Sequence, residues 1–227
     1  MCAGPDLHPN FSAAYENLGN IYALDHNLDG AIEKLQRAVD LCRPEEEQCE
    51  YPWRNLAAVQ LQLGMKAAAE SVRKAEDFSP HELATERLHV KLLLELEPAS
   101  QRNLDAATHA DWLAGEKDPV VKRLRALAYL AHGDVEIAGR FAHAAIELGD
   151  GLAAADYLIV AIAETDAGRV DAAIQALAMA EEIWPTALRN PEAYAVSNKA
   201  GVLWFDSASQ LFKLKERLPT GVRQHGQ

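Results

Sequence analysis

The sequence is poor in cysteine. Only Cys2, Cys42 and Cys49 occur among its 227 residues, too few for a disulfide framework, and no Cys-x-x-Cys or Cys/His ligand spacing is present. Cys42 and Cys49 flank a short acidic turn and could lie close together. We expect two free thiols rather than a bridge. The sequence does not determine the compartment, although a cytoplasmic location is favoured over a periplasmic one.

Long apolar runs and an excess of positive charge are also missing. No stretch approaches the roughly 18 apolar residues that a membrane span needs, and no signal peptide precedes the first predicted helix. The formal net charge is -12, whereas nucleic-acid binding needs a basic face. We therefore expect no membrane span and no nucleic-acid partner, and the acidity serves solubility.

Catalytic and cofactor-binding motifs are absent as well. The sequence contains no GxGxxG, Walker, GxSxG or HExxH motif. Its eight histidines are scattered, and its many acidic residues have the spacing of a solvated helix face. We therefore predict no catalytic residues, no cofactor and no metal site, and a protein that is not an enzyme.

The most informative stretch that is present runs from Ser12 to Pro44. Tyr15, Leu18 and Tyr22 recur at helical spacing and form one stripe of a first helix, predicted over 12–25. Gly19 lies between them, where a Cβ would hinder the close approach of a neighbouring helix.

A second helix is predicted over 29–42. Ile32, Leu35 and Val39 point inward, Asp29 serves as the N-cap, and the small contacts are Ala31 and Ala38. The two helices form a hairpin.

Residues 12–45 resemble the tetratricopeptide repeat, a helix-turn-helix unit of about 34 residues. The match consists of large and small residues at set positions: Tyr15, Leu18, Gly19, Tyr22, Ala31, Leu35 and Ala38. Further repeats are predicted at 50–83, 84–118, 119–152, 154–187 and 188–221. The resemblance implies an all-α fold, a right-handed α-solenoid of about six such hairpins in a single domain over residues 1–227.

The later repeats differ in how well they match. In the second repeat, helices are predicted over 48–63 and 66–78, with Ala69 as the small contact. The third departs from the pattern but still predicts helices over 81–96 and 100–114. The fourth starts at Pro119, a favourable first helical residue, and the fifth matches strongly. For the sixth, two readings stay open: a hairpin over 190–203 and 206–217, which we favour, or one helix over 191–217.

The resemblance also implies a binding site. In this family the first helix of each repeat lines a concave groove that binds peptides or helices. Carried across position by position, the groove residues are Glu16, Asn20, Tyr51, Arg54, Asn55, Arg123, Leu127, Leu130, Leu158 and Ile162. This groove would be polar at its start and apolar toward its end. Alternatively, its four apolar residues contact the sixth repeat or a second copy of the chain.

One subfamily clamps the terminal carboxylate of a partner through lysine and asparagine residues. Asn20 and Asn55 match its two asparagine positions, but Glu16 stands where the first lysine should be, and a like charge opposes carboxylate binding.

We therefore predict a non-catalytic scaffold that binds a protein or peptide. The alternatives are the repeat portion of a larger enzyme or of an assembly or secretion machine, or a self-associating homo-oligomer.

Overall fold

Helices joined by short connections make up the part of the chain that the structure describes. The computed structural model describes residues 11–43, 49–149, 153–183 and 216–223, and none of these belongs to a β-strand. The helices are α1 (Ser12–Leu24), α2 (Leu28–Leu41), α3 (Glu50–Gln62), α4 (Ala68–Phe78), α5 (Leu83–Leu96), α6 (Gln101–Leu113), α7 (Pro119–His132), α8 (Val135–Leu148), α9 (Ala153–Asp166), α10 (Val170–Ile183) and α11 (Thr220–Arg223). The predicted all-α fold is confirmed.

The predicted helix bounds hold to within two residues for α1 to α6. The choice between a hairpin and one long helix for the sixth repeat lies almost entirely outside the described residues. No described helix has the length and apolar character needed to cross a bilayer.

The described residues divide into two compact bodies, which we treat separately. The N-terminal body comprises the described residues up to Leu88, and the C-terminal body those from His89 onward. The single domain expected over residues 1–227 stays a prediction.

Each body shows the same packing scheme. In the N-terminal body α1 pairs with α2 and α3 with α4, and α3 also packs against both α1 and α2. In the C-terminal body α7 pairs with α8 and α9 with α10, and α9 packs against both α7 and α8. Each of these later hairpins therefore rests its first helix on both helices of the hairpin before it, as stacked repeats do.

The turn inside four of the hairpins has one backbone geometry. A residue with positive φ lies there in each case, and glycine adopts this conformation without steric cost. These residues are His26 (φ 59°), Gly64 (65°), Gly133 (96°) and Gly168 (76°). Each lies fourteen residues after the predicted repeat starts at 12, 50, 119 and 154. The register of the four first helices is therefore the predicted one.

The second helix of the second repeat is an exception. In repeats one, four and five the predicted small contacts are completely buried: Ala31, Ala38, Ala138, Ala145, Ala173 and Ala180. In α4, however, Ala69 is exposed, while Ala68 and Ala75 are completely buried. The assignment of Ala69 is wrong by one residue. In α4 the buried alanine comes four residues after Gly64, whereas in the other three hairpins it comes five residues after the positive-φ residue, so the inward stripe of α4 begins one residue earlier.

At the N-terminal ends of α2 and α7, one prediction is wrong and one is confirmed. The N-cap of α2 is Asn27, whose Oδ1 accepts a hydrogen bond from the amide of Gly30 at 3.0 Å, so the assignment of Asp29 is wrong. Asp29 lies in the first turn of the helix instead. Pro119 begins α7 as predicted, and Asp118 caps it.

Cys42 and Cys49 are joined by a disulfide, with their Cα atoms 5.7 Å apart. The expectation of two free thiols is therefore wrong. Cys42 follows the last residue of α2 and Cys49 precedes the first residue of α3. Because these helices pack together, their adjoining ends bring the two sulfur atoms within bonding distance.

Breaking this bridge should destabilise the N-terminal body. The bridged residues are seven apart in sequence, and closing a loop of that size stabilises a protein by about 2 kcal/mol through the unfolded state. We expect dithiothreitol to lower the urea midpoint of the oxidised protein accordingly. A Cys42→Ser, Cys49→Ser double variant serves as control and should not respond to the reductant. Equal midpoints for the oxidised and reduced wild-type protein would contradict the prediction.

Gly19 marks the closest approach of α1 to α2. A Cβ placed there would lie 2.6 Å from Cγ of Leu35 and 3.3 Å from the carbonyl oxygen of Ala31. Leu35 is completely buried and has no free space to move into. The predicted reason for a glycine at this position is confirmed.

Replacing glycine with alanine should change the free energy of unfolding in opposite directions at two positions within helices. Gly19→Ala should lower the free energy of unfolding by about 1–2 kcal/mol, because overpacking outweighs the gain in helix propensity. Gly139→Ala should raise it by about 0.5–1 kcal/mol, since the new Cβ would meet the Cβ of Ala163 at 3.9 Å, an ordinary contact. Urea unfolding followed by circular dichroism measures both, and changes of equal sign would refute the comparison.

Candidate functional site

A polar surface extends across the first helices of two successive repeats in the N-terminal body. Glu16 and Asn20 lie one turn apart on α1, and Tyr51, Arg54 and Asn55 lie on the first half of α3. The packing of α3 against α1 brings the two sets together. The side-chain amide of Asn55 donates a hydrogen bond to Oε1 of Glu16 at 2.9 Å. We call these five residues the polar surface.

Glu16 is the electrostatic centre of the polar surface. Burial raises the pKa of its carboxyl above the ordinary value, although the charge of Arg54 and a hydrogen bond from Asn20 lower it. The nearby charge of Glu50 adds a smaller rise in that pKa. Asn20 and Asn55, the residues that match the carboxylate clamp, thus surround a carboxylate of the protein itself. A second carboxylate brought by a partner would meet a like charge here.

Asn20 also has an unused acceptor. Its Oδ1 is buried and has no hydrogen-bond partner in the described part of the chain. Buried polar atoms are normally paired, and an unpaired one costs about 1–3 kcal/mol. Because the oxygen is shielded from solvent, a partner cannot reach it in this conformation.

Arg54 links the polar surface to the start of α5. Its Nη1 donates to Oε2 of Glu82 at 3.2 Å, and its guanidinium lies 4.8 Å from the ring centre of Tyr51. The same Glu82 oxygen accepts a hydrogen bond from the amide of Thr85 at 2.9 Å. Arg54 is thereby held in place, with a partly exposed tyrosine ring beside it.

The predicted site residues of the C-terminal body lie in its interior. Arg123, Leu130, Leu158 and Ile162 are all buried, and Leu127 is partly buried against the same hydrophobic cluster. That cluster also contains Leu218 and Val222. Leu218 falls within the predicted sixth repeat, and the short helix α11 that follows it packs against α10. Of these five side chains, Leu127 is the one that a partner could reach.

Comparison with known proteins identifies the fold but no close relative. No protein-family model matches the sequence, and no curated protein matches it. Solved structures do match. The thermophilic TPR protein TTC0263 of Thermus thermophilus superposes with a TM-score of 0.64 at 22% identity, over 81% of this chain and 97% of that one. The chain has the tetratricopeptide-repeat fold.

Two further structures show the same likeness. The pilF protein of Pseudomonas aeruginosa matches with a TM-score of 0.62 at 17% identity, over 94% of this chain and 95% of that one. YrrB, described as a TPR protein with an unusual peptide-binding site, matches with a TM-score of 0.56 at 18% identity, over 79% of this chain and 89% of that one.

A buried ion pair joins two first helices of the tetratricopeptide fold. Arg123 on α7 donates from Nε to Oδ1 of Asp156 on α9 and from Nη2 to Oδ2, each at 2.7 Å. The two side chains are 1% and 0% exposed. The planar guanidinium thus meets the carboxylate edge to edge, the geometry in which two desolvated charges compensate each other best. Arg123 has a packing role here, which its assignment to the groove did not anticipate.

A second buried carboxylate lies at the junction of α6 and α7. Oδ2 of Asp111 accepts from Nζ of Lys122 at 2.9 Å and from Nη1 of Arg125 at 2.6 Å. The guanidinium of Arg125 also lies 4.2 Å from the ring centre of Phe141 on α8. The charged side chains of Asp111, Lys122 and Arg125 thus connect α6, α7 and α8.

Sequence reasoning missed Asp156, yet a signal was present. Asp156 is the third residue of its repeat, and the third residues of two other repeats, Pro52 and Val121, are apolar and buried. An acidic residue at an apolar position predicts a buried partner of opposite charge. Comparing the repeats position by position would have found it.

The ion pair predicts a distinctive double-mutant result. Asp156→Leu alone should lower the free energy of unfolding by about 3–5 kcal/mol, because it removes the carboxylate that pairs with the buried Arg123. Adding Arg123→Met should restore most of the loss, since two well-packed apolar residues replace the pair. Urea unfolding of both single variants and the double variant measures this. A double variant as unstable as Asp156→Leu would contradict it.

Proposed function

We propose that the chain is a non-catalytic protein-binding module and that its polar surface takes a peptide or helix of a partner. The observation that carries the proposal is the continuity of this surface across two repeats, fastened by the hydrogen bond from Asn55 to Glu16. A surface that crosses a repeat junction presents several anchors in fixed positions. The likeness to YrrB, with its peptide-binding site, supports this use of the fold.

The residue types of the polar surface favour a particular kind of ligand. Tyr51 and Arg54 are of the types enriched among residues that dominate binding energies, and they lie together at the edge of the surface. The ionised carboxylate of Glu16 can only accept hydrogen bonds, and Asn55 already donates one to it. The best ligand is therefore a segment that offers N–H donors and an apolar side chain, and a free terminal carboxylate is disfavoured.

The disulfide bears on the cellular compartment in which the protein binds its partner. Disulfides persist in secreted, periplasmic and extracellular proteins and are rare in a reducing cytosol. The bridge between Cys42 and Cys49 closes the junction between α2 and α3, and α3 carries three of the five residues of the polar surface. We infer a non-reducing compartment, against the cytoplasmic preference drawn from the sequence.

Binding should depend on the polar surface and not on other charges of the N-terminal body. Peptides of about 15 residues selected from a random display library against the whole protein provide the probe. Asn20→Ala with Arg54→Ala should weaken binding of the selected peptides at least about tenfold, because the amide that hydrogen-bonds Glu16 and one cationic anchor are lost. Isothermal titration calorimetry gives the dissociation constants.

Arg73→Ala is the matched control. Arg73 lies on α4, where it is exposed and pairs with Glu70 and Asp77, so the substitution removes an ion-paired arginine that lies outside the polar surface. Its peptide affinity should match that of the wild type. Selected peptides that bind the Asn20, Arg54 variant as tightly as the wild type would refute the polar surface as the binding site.

A further inference from the structure

Two cations on α7 share a single carboxylate in the C-terminal body. Nζ of Lys122 and Nη1 of Arg125 both donate to Oδ2 of Asp111, at 2.9 and 2.6 Å. Lys122 and Asp111 are buried, so they compensate each other as a desolvated pair. Among the described residues, Arg125 forms no ion pair with a second carboxylate. The positive charge of Arg125 is therefore in excess within this cluster.

The acidic residue at the start of α7 does not balance that charge. Asp118 caps the helix, and its Oδ1 accepts a hydrogen bond from the amide of Val121 at 3.0 Å. It lies seven residues, or about 10 Å along the helix axis, before Arg125. A positive charge is thus left over locally in a protein whose formal net charge is -12.

The guanidinium of Arg125 is held in place, largely desolvated and only partly used. It lies 4.2 Å from the ring centre of Phe141 and 5.9 Å from that of Tyr129, and the two rings stack with their centres 5.6 Å apart. Its side chain is 18% exposed. Cation–π contact with the rings fixes its orientation but does not neutralise its charge.

The hydrogen-bonding capacity of this guanidinium is also unmet. Within the described residues, the bond from Nη1 to Asp111 is the hydrogen bond that its side chain makes. Nε is buried and unpaired, and no ligand can reach it there. Nη2 is unpaired as well but is not shielded in this way, so it is the edge that a ligand can approach. A fixed guanidinium with an open edge and an excess charge is suited to an anion.

We propose that Arg125, with the rings of Tyr129 and Phe141 beside it, binds the carboxylate of an aspartate or glutamate side chain of a partner protein. One carboxylate supplies the single negative charge that the cluster lacks, and its planar group matches the guanidinium edge. Both rings are partly exposed and offer an apolar contact to the residue next to the acid. This site lies on α7 and α8 and is independent of the polar surface.

The overall charge of the chain restricts which acidic segments can bind. A net charge of -12 repels a segment that carries many acids, whereas a single acid among neutral or basic residues meets little repulsion. We therefore expect an isolated acidic residue with an apolar neighbour to be the recognised feature.

Two short peptides that differ in one group test the proposal. Both are acetylated and amidated at their ends, and they read glycine-phenylalanine-glutamate-glycine and glycine-phenylalanine-glutamine-glycine. Titration of the full chain, followed by ¹H–¹⁵N NMR of the backbone amides and arginine Nε–H groups, gives the dissociation constants. We expect a value on the order of 1 mM for the glutamate peptide and at least about tenfold weaker binding of the glutamine peptide. Inorganic phosphate should also bind more weakly, because its second charge exceeds the excess charge of the cluster.

Arg125→Met should weaken binding of the glutamate peptide at least about tenfold, while Asp111 keeps its bond to Lys122. Arg140→Met is the matched control, since Arg140 is an exposed arginine on α8 of the same body and its loss changes the net charge equally. Circular dichroism checks the fold, and the comparison of the two peptides on the wild type needs no variant. Equal affinities for the two peptides, unchanged binding by Arg125→Met, or tighter binding of phosphate than of the glutamate peptide would each overturn the proposal.

Discussion

The close approach of helices at small residues is the constraint on which the other features depend. Gly19 lets α1 reach α2, and completely buried alanines do the same inside the hairpins of repeats one, four and five. Only hairpins this tight present two helices side by side, so that the first helix of the next repeat can rest on both. The disulfide junction, the polar surface and the buried ion pair all occur where one hairpin meets the next.

The sequence predicted those features that depend on neighbours within one repeat. Helix bounds and the glycine at the close approach follow from residues less than one repeat apart, and the positive-φ residues His26, Gly64, Gly133 and Gly168 lie at a constant spacing from the predicted repeat starts. The prediction was wrong in α4, where the inward alanine lies one residue closer to the turn than in the other three hairpins. A change of one residue in this spacing rotates the inward face of a helix without leaving a clear mark in the residue pattern.

The contacts of the predicted site residues differ in how far the repeat period implies them. Glu16 and Asn55 come together because stacking brings matching helices of adjacent repeats side by side, which the repeat period implies. The burial of Arg123, in contrast, depends on Asp156 in the next repeat, and the hydrophobic cluster that contains Leu158 also includes Leu218, sixty residues further along the chain. Such contacts are set by packing between repeats, and the repeat consensus does not specify which residues supply them.

The two bodies use the faces of their first helices differently, and this bears on how a ligand could bind. In the C-terminal body, buried charges on α7 and α9 are compensated internally and the apolar residues are covered. In the N-terminal body, the face across α1 and α3 is polar, partly exposed and satisfied by its own hydrogen bonds, apart from one oxygen of Asn20. A ligand must therefore exchange existing hydrogen bonds for new ones, which limits the net gain in affinity. Discrimination between ligands then rests on which of them offers its donors where Glu16 can accept them, because a ligand that displaces Asn55 without doing so leaves a partly buried carboxylate unpaired.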